Sequence, residues 1–173
     1  MSILKIVNCL DPVLRKACKE IENIDGELST LSQDMIETMY AAPGAGLAAN
    51  QVGVSSQIIV VDRGIGTEKK DPITIINPKI TAMEEEQIGE EGCLSIPDIF
   101  AEIKRANRVE MKGVDLDGND VRLESEGYLA RALQHEMDHL EGILFWDKLS
   151  QVKRGILKRR FKKRLKEMKG DSK

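Results

Sequence analysis

The chain has 173 residues, 41% of them hydrophobic, which is enough for one globular domain with a sizeable core and too few to expect two. No apolar run approaches the roughly 18 residues of a membrane-spanning helix, and Met1-Ser2-Ile3-Leu4-Lys5 does not open like a secretory signal, so a cytoplasmic location and no membrane partner are expected. The formal charge of -3 conceals an acidic body with a basic tail: residues 148–173 carry 12 Lys and Arg against 2 Asp and Glu, whereas residues 1–147 carry 14 against 27.

Asp11-Pro12-Val13-Leu14-Arg15 reads as a cap followed by proline at the first helical position, so a short helix or turn starts there. Leu28, Leu31, Met35 and Met39 recur at three- and four-residue intervals and predict an amphipathic helix over roughly residues 26–41, ended by Pro43. The small-residue run Gly44-Ala45-Gly46-Leu47-Ala48-Ala49-Asn50-Gln51 lacks the Lys-Ser/Thr of a phosphate loop. It reads as a tight connection whose bare backbone lets another segment or a ligand come close. Residues 57–61 and Ile73-Thr74-Ile75-Ile76, before Asn77-Pro78, read as strands separated by an exposed polar loop over 64–71. Glu84-Glu85-Glu86 follows as a solvated edge.

Cys9, Cys18 and Cys93 lie far apart and form no C-x-x-C pair, which argues against a disulfide framework and suits a reducing compartment. Cys9 and Cys18 read as buried and inert. In Glu90-Glu91-Gly92-Cys93-Leu94-Ser95-Ile96-Pro97, a thiol behind a glycine and before a proline is expected on a constrained turn, which makes Cys93 the better ligand candidate. Residues 100–107 and 109–116 alternate as strands, and Asp117-Gly118 is a hairpin turn into Val121-Arg122-Leu123.

The run Tyr128-Leu129-Ala130-Arg131-Ala132-Leu133 predicts a helix, with Gly127 near its start and Gly142 just past its end. It leads into Gln134-His135-Glu136-Met137-Asp138-His139, which holds the only two histidines of the chain, four apart. Positions i and i+4 share a helical face, so two imidazoles there can ligate one divalent metal while Glu136 reaches metal-bound water as a general base. Tyr128 and Ala132 fall on the same face. The extended metzincin pattern fails, because Phe145 stands where its last histidine belongs. A thermolysin-like site lacks its downstream carboxylate in the Lys- and Arg-rich stretch before Glu167. A third ligand is then a cysteine or an upstream carboxylate.

Residues 143–146 form an apolar stretch that should pack on the body. Val152, Ile156, Leu157, Phe161, Leu165 and Met168 then recur at helical spacing among basic residues, predicting a basic amphipathic C-terminal helix. Such a helix either packs on its own domain with a solvated charged face or docks on an anionic partner, RNA rather than membrane.

Three segments together, Gly44 to Gln51, Glu91 to Ser95 and Gln134 to His139, match G-x-G-L-A-A-x-Q, E-G-C-L-S and Q-H-E-x-D-H, and through them the chain closely resembles the peptide deformylases. These enzymes remove the formyl group from the initiating methionine of nascent proteins. The resemblance runs from the Asp11-Pro12 region to about Leu149. With the C-terminal helix read from its own spacing, the expected fold is α+β, antiparallel strands around a central HExxH helix with an additional C-terminal helix: residues 1–149 as the catalytic part and 150–173 as a basic helix of the same domain. By motif position the resemblance implies Cys93, His135 and His139 as metal ligands and Glu136 as catalytic acid/base. Gln51 and the backbone N–H of Leu94 would donate to the formyl oxygen, with Gly46 beside the substrate chain and an apolar methionine pocket near Tyr128 and Ala132.

The cofactor implied is one divalent metal ion per chain, Fe2+ in the cell, with Zn2+, Ni2+ or Co2+ also able to fill the site. The partners implied are N-formyl-methionyl nascent peptides and, through the basic helix, the ribosome and its RNA. Relatives often carry Arg seven residues past the motif cysteine, where this chain has Phe100. Two rival readings are an atypical endopeptidase and a ribosome-associated binding protein with a structural metal.

Overall fold

The strand–turn signals place most of the chain in two antiparallel sheets, which the computed structural model describes over residues 2–170. After a 3-10 turn at Pro12–Arg15, capped by the Asp11 side chain accepting from Val13 N at 3.0 Å, helix α1 spans Gly26–Ala41. Asp25 caps α1 through Leu28 N at 2.9 Å, and Leu28, Met35 and Met39 are buried on its inner face. The strands are β1 (Gly46–Ala48), β2 (Ile58–Asp62), β3 (Pro72–Glu84), β4 (Gln87–Cys93), β5 (Ile96–Arg105), β6 (Arg108–Val114) and β7 (Asp120–Glu126). Helix α2 spans Gly127–Leu140 and α3 spans Gln151–Gly170.

The larger sheet has the order β1-β2-β3-β6-β7, and β4-β5 form a separate hairpin inserted between β3 and β6. Helix α2 packs against β1, β2, β6 and β7. Its Ala130, Leu133 and Leu140 are buried, the last two in a cluster with Ala48, Ile59, Val61, Ile75 and Met111. Helices and strands segregated in this way make an α+β fold.

Two strands differ from expectation. β3 does not stop at Asn77-Pro78 but runs on to Glu84. Asn77 takes a φ of 48°, and its side chain exchanges two 2.8 Å hydrogen bonds with the backbone of Ile21. The register shift between Ile76 and Lys79 absorbs the missing proline N–H, so the ladder resumes beyond it. Cys93 does not sit on an isolated turn: it ends β4, at a register shift between Gly92 and Cys93, and Leu94 and Ser95 turn the chain into β5. The apolar 143–146 stretch behaves as its composition demands, with Leu144, Phe145 and Trp146 buried. Of the tail's apolar residues, Leu157 and Phe161 join the cluster of Ile96, Ile99, Ile103 and Trp146, and Leu165 packs on it. Val152 and Met168 stay exposed.

Candidate active site

Helix α2 presents His135 and His139 one turn apart, and the end of β4 brings Cys93 to them. The two Nε2 atoms stand 3.2 Å apart, and Cys93 Sγ lies 3.2 Å from His139 Nε2. One donor atom from each residue falls within 4.8 Å of the other two. Three lone-pair donors converging this closely repel one another unless a cation lies among them, and a thiolate with two imidazoles is a set that borderline divalent ions favour. The residues present therefore fit a metal ion.

The ligand-like geometry is held from behind. Glu91 is 5% exposed and its Oε2 lies 3.0 Å from His135 Nδ1. A carboxylate only accepts, so Nδ1 carries a proton and donates it to Glu91, which leaves Nε2 as the nitrogen that faces Cys93 and His139. The same carboxylate accepts from Arg105 Nε at 2.7 Å, Arg105 Nη2 at 3.0 Å and Arg131 Nη1 at 2.8 Å. Burial alone would push Glu91 up, but these bonds hold it well below the usual carboxylate range. Arg105 also donates to Asp138 at 2.6 Å, so β4, β5 and α2 meet in one buried ionic network. Gln134 adds a further tie: its side chain accepts from Ala106 N at 3.0 Å and donates to Ala106 O at 2.9 Å.

Electrostatically the two histidines part. Burial would lower His135, yet its hydrogen bonds to Cys93 and Glu91 hold it well above its ordinary value. Burial and the charge on His135 push His139 well below. The His135 ring also stacks on Phe145, with centroids 6.3 Å apart, so the aromatic residue that spoils the metzincin pattern packs against a proposed ligand instead of being one.

Glu136 is 4% exposed, its Oε2 has no hydrogen-bond partner among the described residues, and burial pushes its pKa up to about 7. That is the range a general acid/base needs at neutral pH. Its carboxylate lies directly over Gly46, where a Cβ would stand 2.8 Å from Glu136 Oε1. Gly46 is thus bare because Glu136 occupies the space. Gln51, in the 3-10 turn Ala49–Val52 after β1, accepts from Ala48 N at 3.0 Å. Its Nε2 is aimed at Ser95 Oγ at 3.2 Å and Cys93 Sγ at 3.7 Å.

Cys93, His135 and Glu136 open onto a cavity of about 470 Å³ that Gly46, Gln51, Leu94, Tyr128 and Ala132 also line. His139 lies behind it, 1% exposed. The site residues implied by the resemblance thus line one cavity or, for His139, stand behind it. What sequence reasoning missed is the support: Glu91 was only a letter of a motif, and Arg105 and Arg131 were unremarked. No local signal marks them, because their partners lie 14, 40 and 44 positions away.

Comparison with known proteins agrees with this geometry. The family model described as polypeptide deformylase matches residues 3–155. The peptide deformylase of Syntrophobacter fumaroxidans is 50% identical over 96% of this chain and 98% of its own, and that of Thermodesulfovibrio yellowstonii is 49% identical over 94% and 98%. The crystal structure of a peptide deformylase from Legionella pneumophila superimposes with a TM-score of 0.91 at 43% identity, covering 98% of each chain. That of the Ehrlichia chaffeensis enzyme in complex with actinonin gives 0.88 at 41%, covering 95% of this chain and 98% of its own. The chain belongs to the polypeptide deformylase family, metal-dependent hydrolases that remove the N-formyl group from nascent peptides.

Proposed function

We propose that the cavity is where deformylation takes place, with Cys93, His135 and His139 holding one divalent ion and Glu136 acting as acid/base. The observation that carries this is the convergence of the three donor atoms beside a buried carboxyl whose pKa is about 7. In this reading α2 is the central helix, residues 1–149 form the catalytic part, and 150–173 add a basic helix to the same domain. When bound, the ion supplies a Lewis-acid centre that acidifies water and polarises a carbonyl.

The chain's own residues do the rest. Gln51 Nε2 and the backbone N–H of Leu94 donate to the formyl oxygen as it gains charge, and such donors act on the transition state more than on the ground state. Glu136 takes the proton from the attacking water. It then gives that proton to the amine as the C–N bond breaks, leaving formate and a free N-terminal methionine. Gly46 leaves room for that carboxylate and lets the substrate backbone approach, and Tyr128 and Ala132 form part of the wall against the methionine side chain. The apolar closure around Glu136 keeps the proton available by opposing ionisation.

The ion we assign in the cell is Fe2+, with Zn2+, Ni2+ or Co2+ able to take its place, because a mixed sulfur and nitrogen set does not select among them by affinity order alone. An iron-thiolate site should be oxygen-sensitive. Among the described residues no helix is long and apolar enough to cross a membrane, and the location we assign is the cytoplasm. The exposed cationic face of α3 suits the ribosome and its RNA as a docking partner. Formate release from a formyl-methionyl peptide, measured together with elemental analysis of anaerobically purified protein, tests the assignment. Hydrolysis that persists at full rate in Glu136→Ala would remove Glu136 from its role.

A further inference from the structure

The β4–β5 hairpin ends at the cavity mouth in an aromatic ring that the chemistry above does not use. Along β5, Ile99, Ile103 and Arg105 point inward and are buried, whereas Phe100 shares the outward phase with Glu102 and Lys104. A phenyl ring among charged neighbours on a strand's solvent face needs a reason. Phe100 is 57% exposed and lines the same cavity as Cys93, His135 and Glu136.

The ring is pinned. Phe100 pairs with Gly92 across the hairpin, and a Cβ at position 92 would stand 2.5 Å from Phe100 Cε1. The ring therefore lies on the bare backbone of the residue that precedes the metal-site thiol. A peptide with its formyl carbon at Cys93 and His135 puts its first side chain against the inner wall, where Ala132 is 7% exposed. An extended chain advances about 3.3 Å per residue, so the next side chain would lie farther out along the same cavity, whose exposed lining includes Phe100. Glu90 and Asp98 line that mouth as well and disfavour an acidic side chain there.

We propose that Phe100 is a specificity-determining residue that packs against the side chain following the formyl-methionine and biases the enzyme toward substrates with an apolar residue at that second position. The proposal rests on the assignment of the reacting centre to Cys93, His135 and Glu136. An aromatic ring seated on a glycine offers contact area and has only two side-chain torsions to fix.

The test is kcat/KM for formyl-Met-Xaa-Ser peptides with Leu, Phe, Ser and Asp as Xaa, in the metal-loaded wild type and in Phe100→Ala, Phe100→Tyr and Phe100→Arg. Ratios within one preparation do not depend on the fraction of active enzyme. Wild type should prefer Leu and Phe over Ser by about fivefold or more, less than a closed pocket achieves. Phe100→Ala should bring that ratio to within about twofold, Phe100→Tyr should keep it, and Phe100→Arg should turn the preference toward Asp. A flat wild-type profile, or a preference that survives in Phe100→Ala, overturns the proposal. Release of formate from none of the four peptides by wild type would overturn the underlying assignment, and the proposal with it.

Discussion

Glu91 Oε2 accepts from His135 Nδ1 at 3.0 Å, and through that bond a residue outside the cavity's chemistry decides which imidazole nitrogen faces the thiol. Replacing it with glutamine keeps the volume but removes the charge shared by Arg105, Arg131 and His135. Glu91→Gln should lower metal affinity by about 10- to 100-fold, the usual cost of losing such an orienting partner. Glu91→Ala should in addition destabilise the fold by about 3–5 kcal/mol, because the buried Arg131 guanidinium loses its counter-charge and Arg105 keeps only Asp138. Metal titration and denaturant unfolding read the two effects separately.

Gln51 is proposed to act only as charge develops on the formyl oxygen. Gln51→Ala should therefore lower kcat by about 10²–10³ with a smaller change in KM. Steady-state kinetics on a formyl-Met tripeptide would decide it, and a change in KM alone would assign Gln51 to ground-state binding.

Gly46 tests whether the space over Glu136 matters. A methyl group there would come within 2.8 Å of Glu136 Oε1, so Gly46→Ala must push the carboxylate aside. Misplacement of a catalytic group by about 1 Å costs on the order of 10²-fold in rate. Metal content, measured by elemental analysis, should stay at the wild-type level, since the three atoms nearest that methyl all belong to Glu136.

Arg15 pairs with Asp147 across the start and end of the fold. Burial tends to raise Asp147, but the Arg15 hydrogen bond outweighs it and holds the carboxyl below its ordinary value of 3.8. A depressed folded-state pKa contributes stability that is present above pH 3.8 and is lost as pH falls through the folded value. Arg15→Ala should thus cost about 1 kcal/mol at pH 7, a modest figure because Arg15 is partly solvated. The deficit should shrink toward zero as pH falls below 3.8. Thermal unfolding at the two pH values checks it, and a deficit independent of pH would assign the loss to packing alone.

For the tail, deleting α3 is a poor probe, because Leu157 and Phe161 are part of the core. Reversing exposed charges is cleaner. If α3 docks on the ribosome as proposed, Lys162→Glu, Lys163→Glu and Lys166→Glu together should weaken that binding and flatten its dependence on salt, by about 0.7 to 0.9 in the log–log slope for each phosphate that no longer meets a lysine. Turnover of a small formyl peptide should not change. Sedimentation across a salt series reads the first effect.

How much of this was legible in advance depended on distance along the chain. His135, Glu136 and His139 could be read because one helical turn holds all three. The α1 helix was legible because Leu28, Met35 and Met39 keep strict spacing. Strand β4 escaped, since Gln87 to Gly92 holds two glycines and two glutamates and offers no apolar alternation. β3 was cut short at Asn77-Pro78 because the side-chain bonds to Ile21 that rescue the strand join positions 56 apart. Glu91 defied composition altogether: an acidic residue is read as solvated unless its cations are known, and Arg105 and Arg131 become its neighbours only after the hairpin folds onto α2.

The buried ionic network has one more consequence. Arg105 and Arg131 fasten the hairpin to the helix through Glu91 and Asp138. The strand that carries the Cys93 sulfur and the helix that carries the His135 and His139 nitrogens are thus tied to each other by charges of the protein's own, and loss of either arginine should loosen the thiol from the imidazoles before it unfolds either element.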